Sequence, residues 1–196
     1  MQRYSDTFFF FCFNSGDACL HRFASHALVY VYGGQLKMDG RGVTIPSGES
    51  LFVKKGCCLR MVAGNMEEKT EVAILHIPDN LLREFYFVTD RQEIRDIGSE
   101  CMSFPIPKRA DIDSLFLAMR PYLDADISPQ DAALRLKAIE AIYALLDADR
   151  MFYSILFGFA ATSNISISDL LLETCIAPFY WQKMDEMDFE LHGKPN

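Results

Sequence analysis

The stretch His26–Gly56, HALVYVYGGQLKMDGRGVTIPSGESLFVKKG, decides the fold class. It is a train of short apolar segments with turn residues between them. Gly33-Gly34 suits a hairpin that needs positive φ, Asp39-Gly40 is a strong two-residue hairpin signal, and Pro46-Ser47-Gly48-Glu49 reads as another turn. The strands expected here cover residues 27–32, 35–38, 43–45 and 50–54, and the series continues with 59–62 and 69–77. Closely spaced strands with a turn every several residues mean a sandwich or a barrel.

Upstream, residues 7–13 read TFFFFCF. A continuous aromatic strand of this kind is covered on both faces or serves as a seam with a partner. The turn cluster Asn14-Ser15-Gly16-Asp17 ends it. Downstream, Pro78-Asp79-Asn80 opens a helix to about Tyr86, with Asp79 or Asn80 as cap and Leu81, Leu82 and Phe85 as its apolar face. Between Val88 and Arg109 the chain turns polar, and Pro105 and Pro107 limit regular structure, so a connecting segment is expected. A helix over 112–124 follows, with Asp111 as cap and Pro121 kinking or ending it.

Ser128-Pro129-Gln130-Asp131 then signals the start of the clearest helix, which continues to Leu146. Leu134, Ala138, Ala141, Ile142 and Leu145 form one apolar stripe of it, and Leu136, Ile139, Tyr143 and Leu146 form a second. One packing contact needs a stripe of only about 100°, so the wider coverage predicts another partner, the next helix or a second subunit. Asp149 caps a short helix over 151–157 that stops at Gly158, and further helices are expected over 167–175 and 179–191.

The chain has 196 residues, enough for one domain with an appendage or two small ones, and 50% of them are hydrophobic. No apolar run approaches the roughly 18 to 20 residues of a membrane span. The apolar block near the N-terminus is too short for a signal sequence, so a soluble, cytoplasmic protein with no membrane partner is expected. Its six cysteines show no C-x-x-C spacing, which points to reduced thiols. A formal charge of −8 argues against a nucleic-acid surface, because phosphate binding needs clustered Lys and Arg.

The common phosphate-binding, nucleophile-elbow and metalloprotease motifs are all missing. The histidines are His21, His26, His76 and His192, with no H-x-H pair. His26 and His76 could sit near strand ends and point inward, but the spacing supports no metal and no cofactor. Tyr30, Tyr32 and Leu28 share one strand face, and Arg60 and Lys54 lie on later strands that could converge with them. Tyr30, Tyr32, His26, Arg60 and His76 are therefore the candidate ligand-binding residues for a small anionic or sugar-like molecule. The competing reading makes the tyrosines core packing and the cations solvated.

The segment 46–56, PSGESLFVKKG, resembles the turn-strand-turn of small-barrel cupins. Residues 26–36, HALVYVYGGQL, look like the opening of the sensor domain in AraC/XylS-type transcription regulators, and NLLREFY at 80–86 is similar to the helix after their barrel. LKAIEAIYALL at 136–146 is similar to the helix that family uses for dimer contacts, and FYSILF at 152–157 and DLLLE at 169–173 look like its linker.

The resemblance implies an α+β fold, a small cupin-like antiparallel β-barrel followed by an α-helical segment. It divides the chain into a barrel sensor with its closing helix over 1–88, a connector and helical dimerisation segment over 89–165, and a linker with a possible first helix of a helix-turn-helix domain over 166–196. It implies an effector-sensing, dimerising, non-enzymatic part of a regulator. The partners would be an unknown small-molecule effector and a second copy, the latter meeting through Leu136, Ile139, Tyr143 and Leu146. Specific DNA contact would need a double helix-turn-helix half that residues 1–196 do not contain, as in a truncated regulator. The alternatives are a stand-alone cupin enzyme, a metal-dependent isomerase or dioxygenase, and a protein-interaction module that titrates a full-length regulator.

Overall fold

The computed structural model describes residues 2–3, 7–38, 42–64, 69–89, 92–94, 103–124 and 129–162. The Asp39-Gly40 turn and the helices expected over 167–175 and 179–191 lie outside them. The described strands are Gln2–Arg3 (β1), Phe8–Phe13 (β2), Ala18–Arg22 (β3), His26–Gly33 (β4), Gln35–Met38 (β5), Val43–Pro46 (β6), Ser50–Val53 (β7), Cys58–Ala63 (β8), Thr70–Ile77 (β9) and Ser103–Ile106 (β10). The described helices are Asp79–Val88 (α1), Ala110–Leu117 (α2), Arg120–Asp124 (α3), Asp131–Ala148 (α4), Met151–Leu156 (α5) and Phe159–Thr162 (α6).

The strands form a six-stranded sheet in the order β1-β2-β9-β4-β7-β10 and a four-stranded sheet in the order β3-β8-β5-β6. The α+β, cupin-like class stands, and its β part is two separate sheets rather than one closed barrel. Period-two alternation in the central strand β4 explains the layering. Ala27, Val29 and Val31 face the small sheet and pack with Leu36, Ile45, Leu59 and Met61. Leu28 and Tyr30 face the other way and join a second core with Phe116, Ile142, Leu145 and Phe157 from the helical segment. A strand covered on both sides reads as a near-continuous apolar run, which is what VYVY is.

Three strands depart from the sequence reading, and the first is the two-residue β1, which pairs with β2. In β3 the apolar Leu20 faces solvent at 70% exposure while Cys19 and His21 turn inward, so no hydrophobic alternation marked it. The connecting segment contributes β10, whose Pro105 pairs with Leu51. Proline is tolerated there because β10 is an edge strand with β7 as its one ladder partner.

The expected 112–124 helix is two helices, α2 and α3. The ring of Pro121 would clash with the carbonyl of Leu117, four residues back, and α2 ends at Leu117. The caps also differ: Pro78, Arg109 and Gln130 occupy the N-cap positions of α1, α2 and α4 with no side-chain cap bond. Asn80 and Asp111 instead accept the N–H of the next residue, Leu81 and Ile112, at 2.9 Å each. Asp149 does serve α5, accepting the Met151 N–H at 2.7 Å.

Pro46-Ser47-Gly48-Glu49 closes as expected, with the Glu49 N–H donating to the Pro46 carbonyl at 3.2 Å and Gly48 at φ +79°. On α4 every residue of the first stripe is buried, while Leu136 and Tyr143 of the second are 61% and 60% exposed, with Ile139 and Leu146 half-buried between them. Among the described residues no helix is long and apolar enough to cross a membrane.

Candidate functional site

The richest polar constellation lies where the large sheet meets α2 and α3. Strand period places the Tyr30 and Tyr32 rings side by side in an edge contact, 5.0 Å between centroids. Tyr30 stacks on Phe116 at 4.7 Å, and its hydroxyl donates to Asp113 Oδ1 at 2.9 Å. The Tyr32 hydroxyl donates to the Phe116 carbonyl at 2.5 Å. Arg120 holds its guanidinium 5.1 Å from the Tyr32 ring centre, donates to Glu71 Oε2 at 2.7 Å and reaches Asp124 Oδ1 at 3.0 Å. A strand of the sheet, two short helices and a neighbouring strand are thus joined through one set of side chains.

The electrostatics follow from this packing. Burial, then the hydrogen bond to Asp113 and its charge, pushes the Tyr30 phenol up to about 12. Burial also raises Tyr32, against the opposing pull of Arg120. The bond to Glu71 raises Arg120 in turn. Both phenols are therefore neutral donors at ordinary pH, and their role here is to fix geometry.

His26 and His76 do not converge. In the β4–β9 ladder Ala27 stands opposite His76 and His26 opposite Ile77, so the two histidines occupy opposite faces of the large sheet. His26 stacks on Phe52 and accepts the Lys55 N–H on Nδ1 at 3.3 Å. His76 lies on the face toward the small sheet, with Ser25 Oγ 2.9 Å from its Nδ1. Burial lowers both to about 4. Both histidines are buried near strand ends, as expected, but adjacent register positions on a pleated strand cannot share a face, so they point inward on opposite sides of the sheet.

Arg60 is also elsewhere. It lies on β8 of the small sheet and lines a cleft of about 390 Å³ with Lys37, Met38, Val43, Thr44 and Val62. Tyr30 and Tyr32 belong to the opposite sheet's helix-covered face, so the expected convergence of Arg60 with them does not occur. The partners that do meet the tyrosines, Asp113, Phe116 and Arg120, were missed. They follow some 80 residues later in the chain, Tyr30 and Asp113 being 83 apart, and nothing local in the helix signals the pairing. Among the described residues no group of three His, Cys, Asp or Glu side chains is placed to hold a metal ion.

Comparison with known proteins bears on this architecture. Residues 26–154 match the family described as the ExsA N-terminal regulatory domain. The crystal structure of an apo variant of ToxT from Vibrio cholerae strain SCE256 superposes over 93% of this chain and 77% of its own, with 12% identity and a TM-score of 0.56. ToxT from Vibrio cholerae O395 bound to (E)-4-(8-methylnaphthalen-1-yl)but-3-enoic acid matches over 86% of this chain and 71% of its own, at 15% identity and a TM-score of 0.49. A cupin-2 domain protein from Shewanella frigidimarina matches over 35% of this chain and 67% of its own, at 19% identity and 0.29. The first of these is a likeness of fold, and the other two are too distant to bear on the site. No curated protein matches the chain. With the family match spanning most of both sheets and the helical layer into α5, the chain belongs to the ExsA N-terminal regulatory domain family, the cupin-like N-terminal domain of AraC-type transcription regulators.

Proposed function

We propose that this domain senses an effector and dimerises on behalf of an AraC-type regulator, without chemistry on the effector and without specific DNA contact of its own. The observation that carries the reading is the two-faced α4. Its inner stripe is buried against the layer that contains Tyr30 and Phe116, while Leu136 and Tyr143 stand exposed one helical face away. Exposed aromatic and leucine side chains at helical spacing suit an isologous contact with a second copy.

In this reading a small-molecule effector acts at the sheet–helix layer, where Tyr30, Tyr32 and the Asp113 and Arg120 contacts tie β4 to α2 and α3. His26 borders the same face of the sheet, whereas His76 and Arg60 stand apart from it. Displacing those contacts moves α2 against α4, which pack on one another, and so alters the dimer seam. The protein works in the cytoplasm, where its regulator acts. The net charge of −8 accords with a domain that leaves DNA contact to a helix-turn-helix unit.

Size-exclusion chromatography with light scattering tests the assembly step. The parent chain is expected to run as a dimer, and Leu136→Asp and Tyr143→Asp, both at exposed positions, are expected to give folded monomers. A monomeric parent, or a dimer indifferent to both changes, removes the seam from the proposal.

A further inference from the structure

Between the two sheets, Phe9, Phe11 and Phe23 wall in a pair of imidazoles. His21 comes from β3 of the small sheet and His76 from β9 of the large one, with ring centroids 5.7 Å apart. Phe9 lies edge-on to both rings at 5.8 and 5.3 Å, and Phe23 meets His21 at 4.6 Å. The Nε2 atoms of both histidines are buried and have no hydrogen-bond partner, each other included. Ser25 Oγ, from the segment between β3 and β4, stands 2.9 Å from Nδ1 of His76.

An imidazole that takes up a proton becomes a cation with an N–H on each ring nitrogen. Ser25 can accept one of these from His76, but the N–H on Nε2 would be a charged, buried donor with no acceptor. No countercharge faces the pair from the elements around it. β2 presents Phe9 and Phe11, β4 presents Ala27 and Val29, and the thiols of Cys19 on β3 and Cys57 before β8 are uncharged in the acid range. Arg22 and Arg60 are exposed on the outward side of the small sheet, Glu71 is turned to Arg120, and His26 lies on the far face of the large sheet. Burial therefore holds both rings neutral, and charge on His21 further disfavours charge on His76.

We propose that His21 and His76 form an acid-sensitive latch: when the pair takes up protons, β3 is released from the large sheet while the helix-backed part of that sheet stays folded. β3 is the element that gives way, because it is an edge strand with β8 as its one ladder partner and none of its five residues is fully buried. The large sheet is held by the core it shares with the helices. With β3 released, both rings regain water and their ordinary affinity for protons, near 6.5. The closed form binds protons more weakly than the open one. Closure is therefore fully stable above pH 6.5 and weakens as the pH falls from 6.5 toward 4, the value to which His76 is lowered. Each proton taken up on opening raises the opening constant by up to about tenfold per pH unit, and two raise it by up to about a hundredfold.

Amide hydrogen exchange on the whole chain between about pH 7 and pH 5, corrected for the intrinsic pH dependence of exchange, tests the latch. The opening constant of β3 is expected to climb below pH 6.5 while that of β4 stays level. His21→Phe and His76→Phe, which extend the aromatic wall and leave one titrating ring each, are expected to make the climb shallower by up to about tenfold per pH unit. A level β3 in the parent overturns the proposal, as does a slope unchanged in both variants. If β4 opens in step with β3, the event is global unfolding and the latch is likewise overturned. Should the phenylalanine variants not fold, proton NMR of the imidazoles in the parent decides. Folded-state signals of His21 and His76 that stay neutral down to pH 5.5 and give way to those of the open form support the latch. Signals that titrate near pH 6.5 with β3 still closed overturn it.

Discussion

The Tyr30 hydroxyl crosses from the sheet to α2 and ends on a carboxylate, with the ring itself held flat against Phe116. Tyr30→Phe keeps the stacking and removes one hydrogen bond to a charged group, so a loss of about 1.5–2 kcal/mol is expected in urea unfolding. His26 gives a pH dependence of definite sign. Its folded value near 4 lies below the ordinary 6.5, chiefly because burial disfavours the charged form. The stability it allows is therefore fully present above pH 6.5 and is lost as the pH falls from 6.5 toward 4, by at most about 3 kcal/mol. His26→Phe keeps the ring against Phe52 and removes the titration, so its acid unfolding midpoint, followed by circular dichroism, is expected to lie below that of the parent. Equal midpoints would mean that protonation of His26 does not drive acid unfolding.

Among the elements, α4 was the most legible. Its inner stripe could be read position by position, because helical periodicity depends only on the spacing of apolar residues along the chain. The two faces carry different consequences. Ile142→Ala, at a site with no exposure, is expected to cost about 3 kcal/mol, while Leu136→Ala on the exposed face is expected to change monomer stability by less than about 0.5 kcal/mol in denaturant titrations. The β4–β5 turn gives a third element-scale test. Gly34 has φ +72°, and an added Cβ would stand 2.7 Å from Thr70 Oγ1 and 2.9 Å from the Lys69 carbonyl. Gly34→Ala is therefore strained by conformation and by contact, and an expected loss of about 2 kcal/mol is measurable as a lowered unfolding temperature. β3 and β10 were not legible: an edge strand needs only one ladder partner, and neither apolar alternation nor freedom from proline is required of it.

At the scale of the whole molecule, one apolar cluster runs from Phe8 in β2 to Phe157 after α5, and β10 adds the connecting segment to the large sheet. Residues 1–88 expressed alone would expose Leu28, Tyr30, Phe52 and Leu75 on a sheet face that the helices cover. That fragment is expected to be insoluble or partly folded, with lost near-UV dichroism, whereas 1–162 retains it. The sequence by itself determined the strand train, its turns, the helical segment and the buried stripe of α4, because these rest on periods of two and 3.6 and on glycine and proline chemistry, all local properties. Only the tertiary structure decided which sheet face each side chain serves. It put His26 and His76 on opposite faces, sent Arg60 to the outer cleft, gave Tyr30 and Tyr32 to α2 and α3, and brought His21 to His76. Those outcomes depend on contacts between residues far apart in the chain, and no local pattern encodes the partner.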